Sequence, residues 1–403
     1  MFYQSVGNVP PKRHTRHPAP GDDGHFFEEL MGAEGFSSDS ALLYHRHLPS
    51  AINAVRSWDV GDLTTTPNQP LLPRHFQTRD VFSAAEIAVT DPVRGRRLLL
   101  GNQDVRLLYV AAGADSPWYR DATGDECVFV EAGTARVETV FGSLALEAGD
   151  YLILPRGVTH RWLPQTAAPL RLFIIEAAGH LRPPRRYLSR TGQFLEHAPY
   201  CERDLRTPIG PLLAEDIGAA PQEPTEIYIK HRSPVPGGVS GTVHTVPFHP
   251  LDVVGWDGCF YPYTFNVADF EPLTGRIHQP PPVHQVLEGD NVVICNFVPR
   301  KVDYHPLAIP VPYYHANVDS DEVMFYVAGG YEARKGSGIA EGSITLHPGG
   351  HTHGPQPGAI AASLGREFFD ELAVMVDTFR PLGLGAAGRA VDDGKYAGSW
   401  SRS

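Results

Sequence analysis

The sequence has no apolar run long enough to cross a bilayer. Its longest apolar stretches, such as residues 98–100 and 172–175, fall far short of the roughly 20 residues that a membrane-spanning helix needs. The first residues, MFYQSVGNVPPKRHTRH, are basic, but no apolar segment follows them. The sequence therefore predicts neither a signal peptide nor a membrane partner, and we expect a soluble, cytoplasmic protein.

Positive charge and cysteine are also scarce. The chain carries 34 Lys and Arg against 46 Asp and Glu, for a net charge of −12. This balance gives no electrostatic support for a nucleic-acid partner. The four cysteines are far apart and form no Cys-x-x-Cys pair, which is typical of inert thiols in a reducing compartment; they are Cys127, Cys201, Cys259 and Cys295.

Proline and glycine, in contrast, are abundant. The 403 residues include 40 Gly and 37 Pro, which end helices and occupy turns. Short apolar runs closed by Gly, Asp or Pro fill residues 81–176 and 251–382. This composition and spacing predict a mainly β fold with few short helices, one of them near residues 26–31. The tail after residue 382 is expected to be loosely ordered or wrapped on the surface.

The two strand-rich regions share one spacing code. In each, a Glu is followed after six residues by Gly, and later come Gly, five residues, Pro-x-Gly, two residues and His. The matching positions are Glu126, Gly133, Gly149, Pro155, Gly157 and His160 in the first region, and Glu322, Gly329, Gly342, Pro348, Gly350 and His353 in the second. Identical spacing indicates an internal repeat. The pattern resembles the two motifs of cupins, so we expect a double cupin of two jelly-roll β-barrels.

These patterns divide the chain into three predicted regions. Residues 1–80 form an irregular extension that packs on the barrels. Residues 81–250 form a metal-free structural cupin with a linker, and residues 251–403 form a catalytic cupin with the carboxyl-terminal tail. The cluster Tyr44-His45-Arg46-His47 in the extension has two interpretations: a metal or anion site, or a basic strand or loop that packs on another subunit.

A metal centre is predicted in the second barrel. A full first cupin motif has His-x-His before its Glu, and here His315 and Glu322 keep two of those ligands while Asn317 replaces the second His. With His353, two imidazoles and one carboxylate form a facial set with open positions, which suits Fe(II) binding substrate and O₂ together. His351 is a rival third ligand, but the Pro-x-Gly-x-x-His count selects His353. In the first barrel Arg120 and Ala122 replace both His positions.

The stretches around these ligands resemble the homogentisate 1,2-dioxygenase family. The resemblance covers most of the chain and is carried by residues 27–32 and 42–51, by Leu251-Asp-Val-Val-Gly-Trp256, Pro262, Tyr263 and Asn266, and most sharply by Pro312-Tyr-Tyr-His315, Asn317, Gly329, Tyr331-Glu-Ala333 and His353-Gly-Pro355. It implies that His315, Glu322 and His353 hold Fe(II). Two departures stand out. Ala316 replaces an Arg common in the family, and one extra residue precedes Glu322.

The same resemblance implies roles for further residues. His278 lines up with the family's active-site histidine, an acid/base or hydrogen-bond partner of the substrate hydroxyl, and His284 is the runner-up. Tyr331 and His347 line up with groups that contact the ring oxygens of the substrate, although His347 also suits support of the metal ligands. Asn317 is expected beside the metal and substrate. The family also implies a trimer or hexamer of identical chains.

Three functions follow as hypotheses. In the first, the chain opens the ring of homogentisate with O₂ to give maleylacetoacetate in tyrosine and phenylalanine catabolism. In the second, permitted by Ala316, a related dioxygenase acts on gentisate or another hydroquinone. In the third, the double cupin binds a small molecule without catalysis, as the loss of metal-coordinating residues in the first barrel allows.

Overall fold

The computed structural model describes residues 1–20, 24–165, 168–235, 238–279 and 281–401. Its secondary structure is mainly β with a few short helices, as predicted. The amino-terminal extension consists of short strands: β1 (Gln4–Gly7), β2 (Phe27–Gly32), β3 (Ser40–His45), β4 (Ala54–Trp58), β5 (Thr65–Thr66) and β6 (Arg74–Gln77). None of the helices in the described part of the chain combines the length and hydropathy that a bilayer crossing requires.

Two jelly-roll barrels follow the extension. The elements of the first are α1 (Ala84–Val89), β7 (Arg97–Gly101), β8 (Val105–Ala112), β9 (Trp118–Asp121), β10 (Asp125–Ala132), β11 (Ala135–Thr139), β12 (Gly142–Leu146), β13 (Asp150–Leu154), β14 (His160–Pro164) and β15 (Leu170–Ala177). The connecting region holds β16 (Leu205–Arg206), β17 (Thr225–Arg232), β18 (Val239–Val246), β19 (Val253–Gly258) and β20 (Tyr263–Asn266). The elements of the second are β21 (Gln285–Gly289), β22 (Val292–Phe297), β23 (Arg300–Lys301), β24 (Asp321–Gly329), β25 (Ser343–His347), α2 (Ala359–Ser363), β26 (Phe368–Phe369), β27 (Glu371–Thr378), β28 (Gly383–Gly385) and α3 (Ala386–Ala390).

The sheets mix strands from all three predicted regions. A nine-stranded sheet, β16-β20-β13-β10-β15-β8-β7-β28-β5, and a seven-stranded sheet, β12-β11-β14-β9-β17-β18-β4, build the first barrel, and β21-β22-β27-β24-β25-β6 forms the main sheet of the second. Strand β6 of the extension thus completes the second barrel, while β28, from the tail of the third predicted region, pairs with β7 of the second region. The predicted boundaries at residues 80 and 250 stay predictions. Hydrogen-bonded strand pairs cross both of them, so the sheets themselves do not divide at these residues.

The prediction of a short helix near residues 26–31 is wrong. This segment is the strand β2, which pairs antiparallel with β3 from Phe27 opposite His45 to Gly32 opposite Ser40. Glu, Leu and Met favour helices as isolated residues, but β3 is buried and offers an unpaired edge. Pairing with that edge outweighs local propensity.

The two barrels share one hydrophobic core. Phe325 on β24 of the second barrel packs against Phe173 and Phe129 of the first, with ring centroids 4.9 and 6.4 Å apart. All three side chains are fully buried. This contact fixes which face of β24 turns away from the first barrel, because side chains alternate along a strand.

That alternation divides β24 and β27 into a core face and a cavity face. Val323 and Phe325 of β24 lie in the core, whereas Glu322, Met324 and Tyr326 line a cavity in the second barrel. On β27, Ala373, Met375 and Asp377 line the same cavity. The polar side chains of Glu322, Tyr326 and Asp377 therefore lie on one face of the sheet.

The Tyr44 to His47 cluster packs within its own chain. The ring of His45 lies between two carboxylates, with Nδ1 2.8 Å from Asp252 Oδ1 and Nε2 3.0 Å from Glu29 Oε2. Burial acts to lower the pKa of His45, but the hydrogen bonds with Asp252 and Glu29 prevail and raise that pKa to about 9. A buried imidazolium thus joins the extension to the segment before β19.

We predict that replacing His45 costs stability in a pH-dependent way. The folded-state pKa of about 9 exceeds the ordinary 6.5, so the stabilisation is fully present below pH 6.5 and is lost as the pH rises through 9. His45→Gln should lower the free energy of unfolding by about 3 kcal/mol at pH 6, and by much less at pH 10. Urea unfolding at several pH values measures this.

His14→Gln serves as the control, because His14 pairs with Glu28 on the exposed surface and should contribute little. A His45→Gln effect that stays constant from pH 6 to 10 would contradict an ionic role for His45.

Candidate metal centre

The structure brings His315, Glu322 and His353 together at one end of the cavity. Glu322 projects from the cavity face of β24, and the two histidines lie on adjacent segments joined by a β-bridge, where each backbone N–H donates to the other's carbonyl at 2.9 Å. Nε2 of His353 is 3.2 Å from Glu322 Oε1, and Nε2 of His315 is 3.7 Å from Glu322 Oε2. One ligand atom from each of the three residues lies within 4.8 Å of the others.

Both imidazoles are oriented as metal ligands are. Nδ1 of His315 donates to the Tyr313 carbonyl at 3.1 Å, and Nδ1 of His353 donates to the His351 carbonyl at 3.0 Å. These bonds leave each Nε2 directed at Glu322 and its surroundings. Nε2 of His353 is buried and makes no hydrogen bond within the described part of the chain. Two imidazoles and a carboxylate, with such an unused nitrogen, fit a divalent transition metal.

A third imidazole stabilises the negative charge of Glu322. Nδ1 of His347 donates to Glu322 Oε1 at 2.8 Å, and Nε2 of His347 accepts from the Tyr396 hydroxyl at 2.9 Å. Burial lowers the pKa of His347 to about 3, so this ring is neutral. Burial would raise the pKa of Glu322, but the imidazoles of His315, His347 and His353 hold it well below its usual range. Glu322 is therefore ionised. Both ring nitrogens of His347 are engaged, which favours the supporting role over contact with substrate.

The carboxyl-terminal tail packs against this centre. Tyr396 is fully buried, and Trp400 Nε1 donates to the carbonyl of Gly354, directly after His353, at 3.1 Å. Gln356 Nε2 donates to Ser399 Oγ at 2.9 Å. Of the two alternatives predicted for the tail, loosely ordered or wrapped on the surface, the structure shows a tail packed against the barrel up to residue 401, anchored by Tyr396 and Trp400.

The cavity next to the three ligands has a volume of about 190 Å³. It brings together four of the other predicted residues, His278, His284, Asn317 and Tyr331. Nδ1 of His278 lies 3.1 Å from Asp303 Oδ2, and its side chain is partly exposed. His284 is buried against Phe297, with ring centroids 4.6 Å apart, and burial followed by the charge of Arg300 lowers its pKa to about 3.

The two predicted substrate contacts lie at different places along the cavity. Tyr331 is mostly buried in a left-handed backbone conformation (φ 40°), and its ring packs edge-on to Tyr326 at 4.9 Å. Asn317 Nδ2 lies 3.5 Å from Asp377 Oδ1. Burial, together with the charge of Glu322, raises the pKa of Asp377 well above its usual value.

Sequence reasoning missed Asp303, Arg334 and Asp377, which also line the cavity. Asp377 had a detectable signal, because it follows Ala373 and Met375 at the two-residue spacing of one strand face. Asp303 and Arg334 lie outside the regular strands, and no periodicity marks them.

The first barrel places cations where the second has metal ligands. Glu126, the repeat equivalent of Glu322, accepts from Arg96 at 2.7 and 3.0 Å. The Lys230 ammonium lies 2.6 Å from both Asp121 and Glu176. Asp121, Glu126 and Glu176 are close enough together to hold a metal ion, but the side chains of Arg96, Lys230 and Arg106 supply positive charge to them. His160, the equivalent of His353, is buried, and burial lowers its pKa to about 4.

The family models and the known relatives that match this chain agree with one another. The family model for a cupin domain matches residues 106–176, and the model for the homogentisate 1,2-dioxygenase C-terminal region matches residues 282–402. The chain is 35% identical to the protein named "Putative dioxygenase SSO1533" of Saccharolobus solfataricus, over 100% of both chains. It is 28% identical to homogentisate 1,2-dioxygenase of Rhodopseudomonas palustris, covering 82% of this chain and 75% of that one. The corresponding enzyme of Emericella nidulans is 27% identical, covering 80% and 68%.

We predict that His353 and not His351 is needed for metal binding. His353→Ala should lower bound Fe(II) from about one equivalent to near zero after anaerobic loading, because two ligands hold a metal poorly. His351→Ala is the matched control, since only the backbone carbonyl of His351 supports His353. Metal analysis after gel filtration measures both variants. Retention of iron by His353→Ala together with its loss from His351→Ala would reverse the assignment.

We also predict that the first barrel depends on Lys230. Lys230→Met should lower the free energy of unfolding by about 3–5 kcal/mol, because it leaves Asp121 buried without its cation and removes one of the cations that face Glu176. Lys395→Met, at an exposed lysine, is the control. Urea denaturation measures the free energy of unfolding of both variants. Equal stability of the two would show that the buried ion pairs of Lys230 are not needed for stability.

Proposed function

This chain belongs to the homogentisate 1,2-dioxygenase-like family, and we propose that it is an Fe(II)-dependent dioxygenase that opens the ring of homogentisate with O₂. The product would be maleylacetoacetate, in the breakdown of tyrosine and phenylalanine. The observation that carries the proposal is the convergence of His315, Glu322 and His353 beside a cavity of about 190 Å³ that His278 also lines.

The ligand set suits this chemistry. Fe(II), when bound by two imidazoles and one carboxylate, would supply open positions for the phenol oxygen of the substrate and for O₂. His347 and Tyr396 fix the orientation of Glu322 through consecutive hydrogen bonds of 2.8 and 2.9 Å. The described tail buries this network, which keeps the carboxylate oriented and shields it from solvent.

His278 is the proposed proton-transfer group. It lines the cavity, and its bond to Asp303 engages Nδ1 and leaves Nε2 for a substrate hydroxyl. An imidazole can accept the proton that the hydroxyl loses on binding the metal. His284 is the less suitable candidate, because burial keeps it neutral and its ring is packed against Phe297. Tyr331 and Asn317 would contact the substrate from the cavity wall.

A second candidate function is cleavage of another hydroquinone, such as gentisate. Ala316 favours it, because the Arg common in the family is absent at a position next to the first ligand. The distinction lies in the acidic arm of the substrate: gentisate carries a carboxylate directly on the ring, whereas homogentisate carries it one carbon away.

We also propose a homo-oligomer, a trimer or hexamer, in the cytoplasm. Tyr304, Leu307 and Val318 are exposed by 68, 85 and 83% on the stretch of chain that contributes Asp303 and His315. Apolar side chains of this kind are often covered by another subunit. Light scattering during gel filtration gives the number of chains.

The proposal predicts O₂ uptake by the Fe(II)-loaded protein with homogentisate. Equimolar O₂ consumption and the absorbance of maleylacetoacetate should appear together. A panel of homogentisate, gentisate and unsubstituted hydroquinone separates the two candidate functions. Uptake with gentisate alone would select the second, and no uptake with any hydroquinone by iron-loaded protein would leave a ligand-binding role.

His278→Gln should keep the iron content and lower turnover by roughly 10²–10⁴-fold, the usual contribution of a proton-transfer group. His197→Gln, at an exposed histidine far from the cavity in sequence, is the control. Unchanged turnover in His278→Gln would remove His278 from the mechanism.

A further inference from the structure

The basic side chains near the cavity differ in their acidic partners. Arg300 Nη2 donates to Glu371 Oε1 at 2.8 Å, and Lys335 Nζ donates to Glu332 Oε1 at 2.7 Å. Lys301 also lines the cavity without a carboxylate partner among the described residues, but it is exposed to solvent, whereas Arg334 is only partly exposed and likewise forms no ion pair there. Arg334 is thus a cation of the cavity wall whose charge the described chain does not neutralise by direct contact.

The position of the Arg334 guanidinium is fixed by two neutral groups. Its Nε donates to the Tyr326 hydroxyl at 3.1 Å, and its Nη1 donates to the carbonyl of Gly354. A guanidinium has five N–H donors, so about three remain for another acceptor. The two contacts hold the group in one orientation without supplying a negative charge, which is the arrangement expected of a preorganised anion site.

This guanidinium lies close to the proposed metal centre. Gly354 directly follows His353, and Tyr326 projects from the same face of β24 as Glu322. Among the other carboxylates of the cavity, Asp303 is engaged with His278, Glu371 with Arg300, and Asp377 lies 3.5 Å from the Asn317 amide. An anionic group that enters the cavity therefore meets a cation with free donors at Arg334.

We infer that Arg334 binds the carboxylate of an aromatic substrate whose phenol oxygen faces His315, Glu322 and His353. This inference rests on the proposed function and deepens it, because it makes an acidic side arm a requirement of the site. It also accounts for Ala316, since the cation missing beside the first ligand is supplied from the segment after β24. An ionic bond with fixed geometry distinguishes an acidic hydroquinone from a neutral one of the same size.

A purely structural role for Arg334 makes a different prediction. If the guanidinium served only to join Tyr326 to Gly354, its removal would disturb the cavity for every hydroquinone alike. Binding of a charged substrate and its neutral analogue therefore separates the two roles. The pair used is homogentisate and its primary amide, which match in size and differ in charge.

The experiment measures anaerobic dissociation constants by calorimetry for the Fe(II)-loaded wild type and for Arg334→Met and Arg334→Lys, with KM and kcat from O₂ uptake. Arg334→Met should weaken homogentisate binding by about 10- to 100-fold, the usual effect of losing a charged hydrogen bond, and change amide binding by less than about 2-fold. Arg334→Lys should restore part of the difference because it keeps the charge. Lys335→Gln, which removes a neighbouring exposed charge, should leave both ligands unaffected.

Equal weakening of both ligands by Arg334→Met, or no weakening of either, would overturn the inference. The wild type supplies a second test that needs no folded variant: it should bind homogentisate at least about 10-fold more tightly than the amide, and equal affinity would also overturn the inference. Failure of the proposed function has a different signature. In that case the wild type would bind homogentisate in an Arg334-dependent way without consuming O₂.

Discussion

The site depends on one buried negative charge. Glu322 lies on a strand in the interior of the second barrel, where an ionised carboxylate is unfavourable unless cations or hydrogen-bond donors surround it. Here three imidazoles face it, and one of them, His347, is itself held by Tyr396. A divalent metal between Glu322, His315 and His353 would complete this arrangement. The orientation of the His347 imidazole and the burial of Tyr396 both serve to stabilise that carboxylate.

The first barrel shows the alternative solution to the same constraint. Its equivalent carboxylate, Glu126, meets the Arg96 guanidinium, and the neighbouring Asp121 and Glu176 meet the Lys230 ammonium. Side-chain cations balance the charge but leave no open coordination position. The duplicated scaffold thus holds its internal carboxylates in two ways, and in the second barrel the carboxylate faces imidazoles that could hold a metal ion with it. The aromatic contact of Phe325 with Phe173 joins the two barrels and sets which face of β24 receives Glu322.

Much of this arrangement was predictable because it depends on local spacing. The Glu, Pro-x-Gly and His positions mark strands and the turn between them, so their count selected His353 over His351, and the structure brings His353 to Glu322 at 3.2 Å. Residues that belong to no such spacing pattern could not be identified from the sequence. Arg334 reaches Tyr326 and Gly354 from an irregular segment, and Asp303 reaches His278 across 25 positions of sequence. The strand β2 was mistaken for a helix because its partner edge on β3 is a tertiary feature.

The sequence by itself determined the β class of the fold, the internal repeat and the identity of the three candidate ligands. In strands and tight turns, the spacing of residues along the chain fixes the direction in which each side chain points. Only the tertiary structure decided which groups support those ligands. The tail contributes Tyr396 to His347, β6 from the extension completes the second barrel, and His45 finds two carboxylates from distant segments. Such contacts join positions tens to hundreds of residues apart, and they form because buried polar groups must find partners wherever the folded chain brings them.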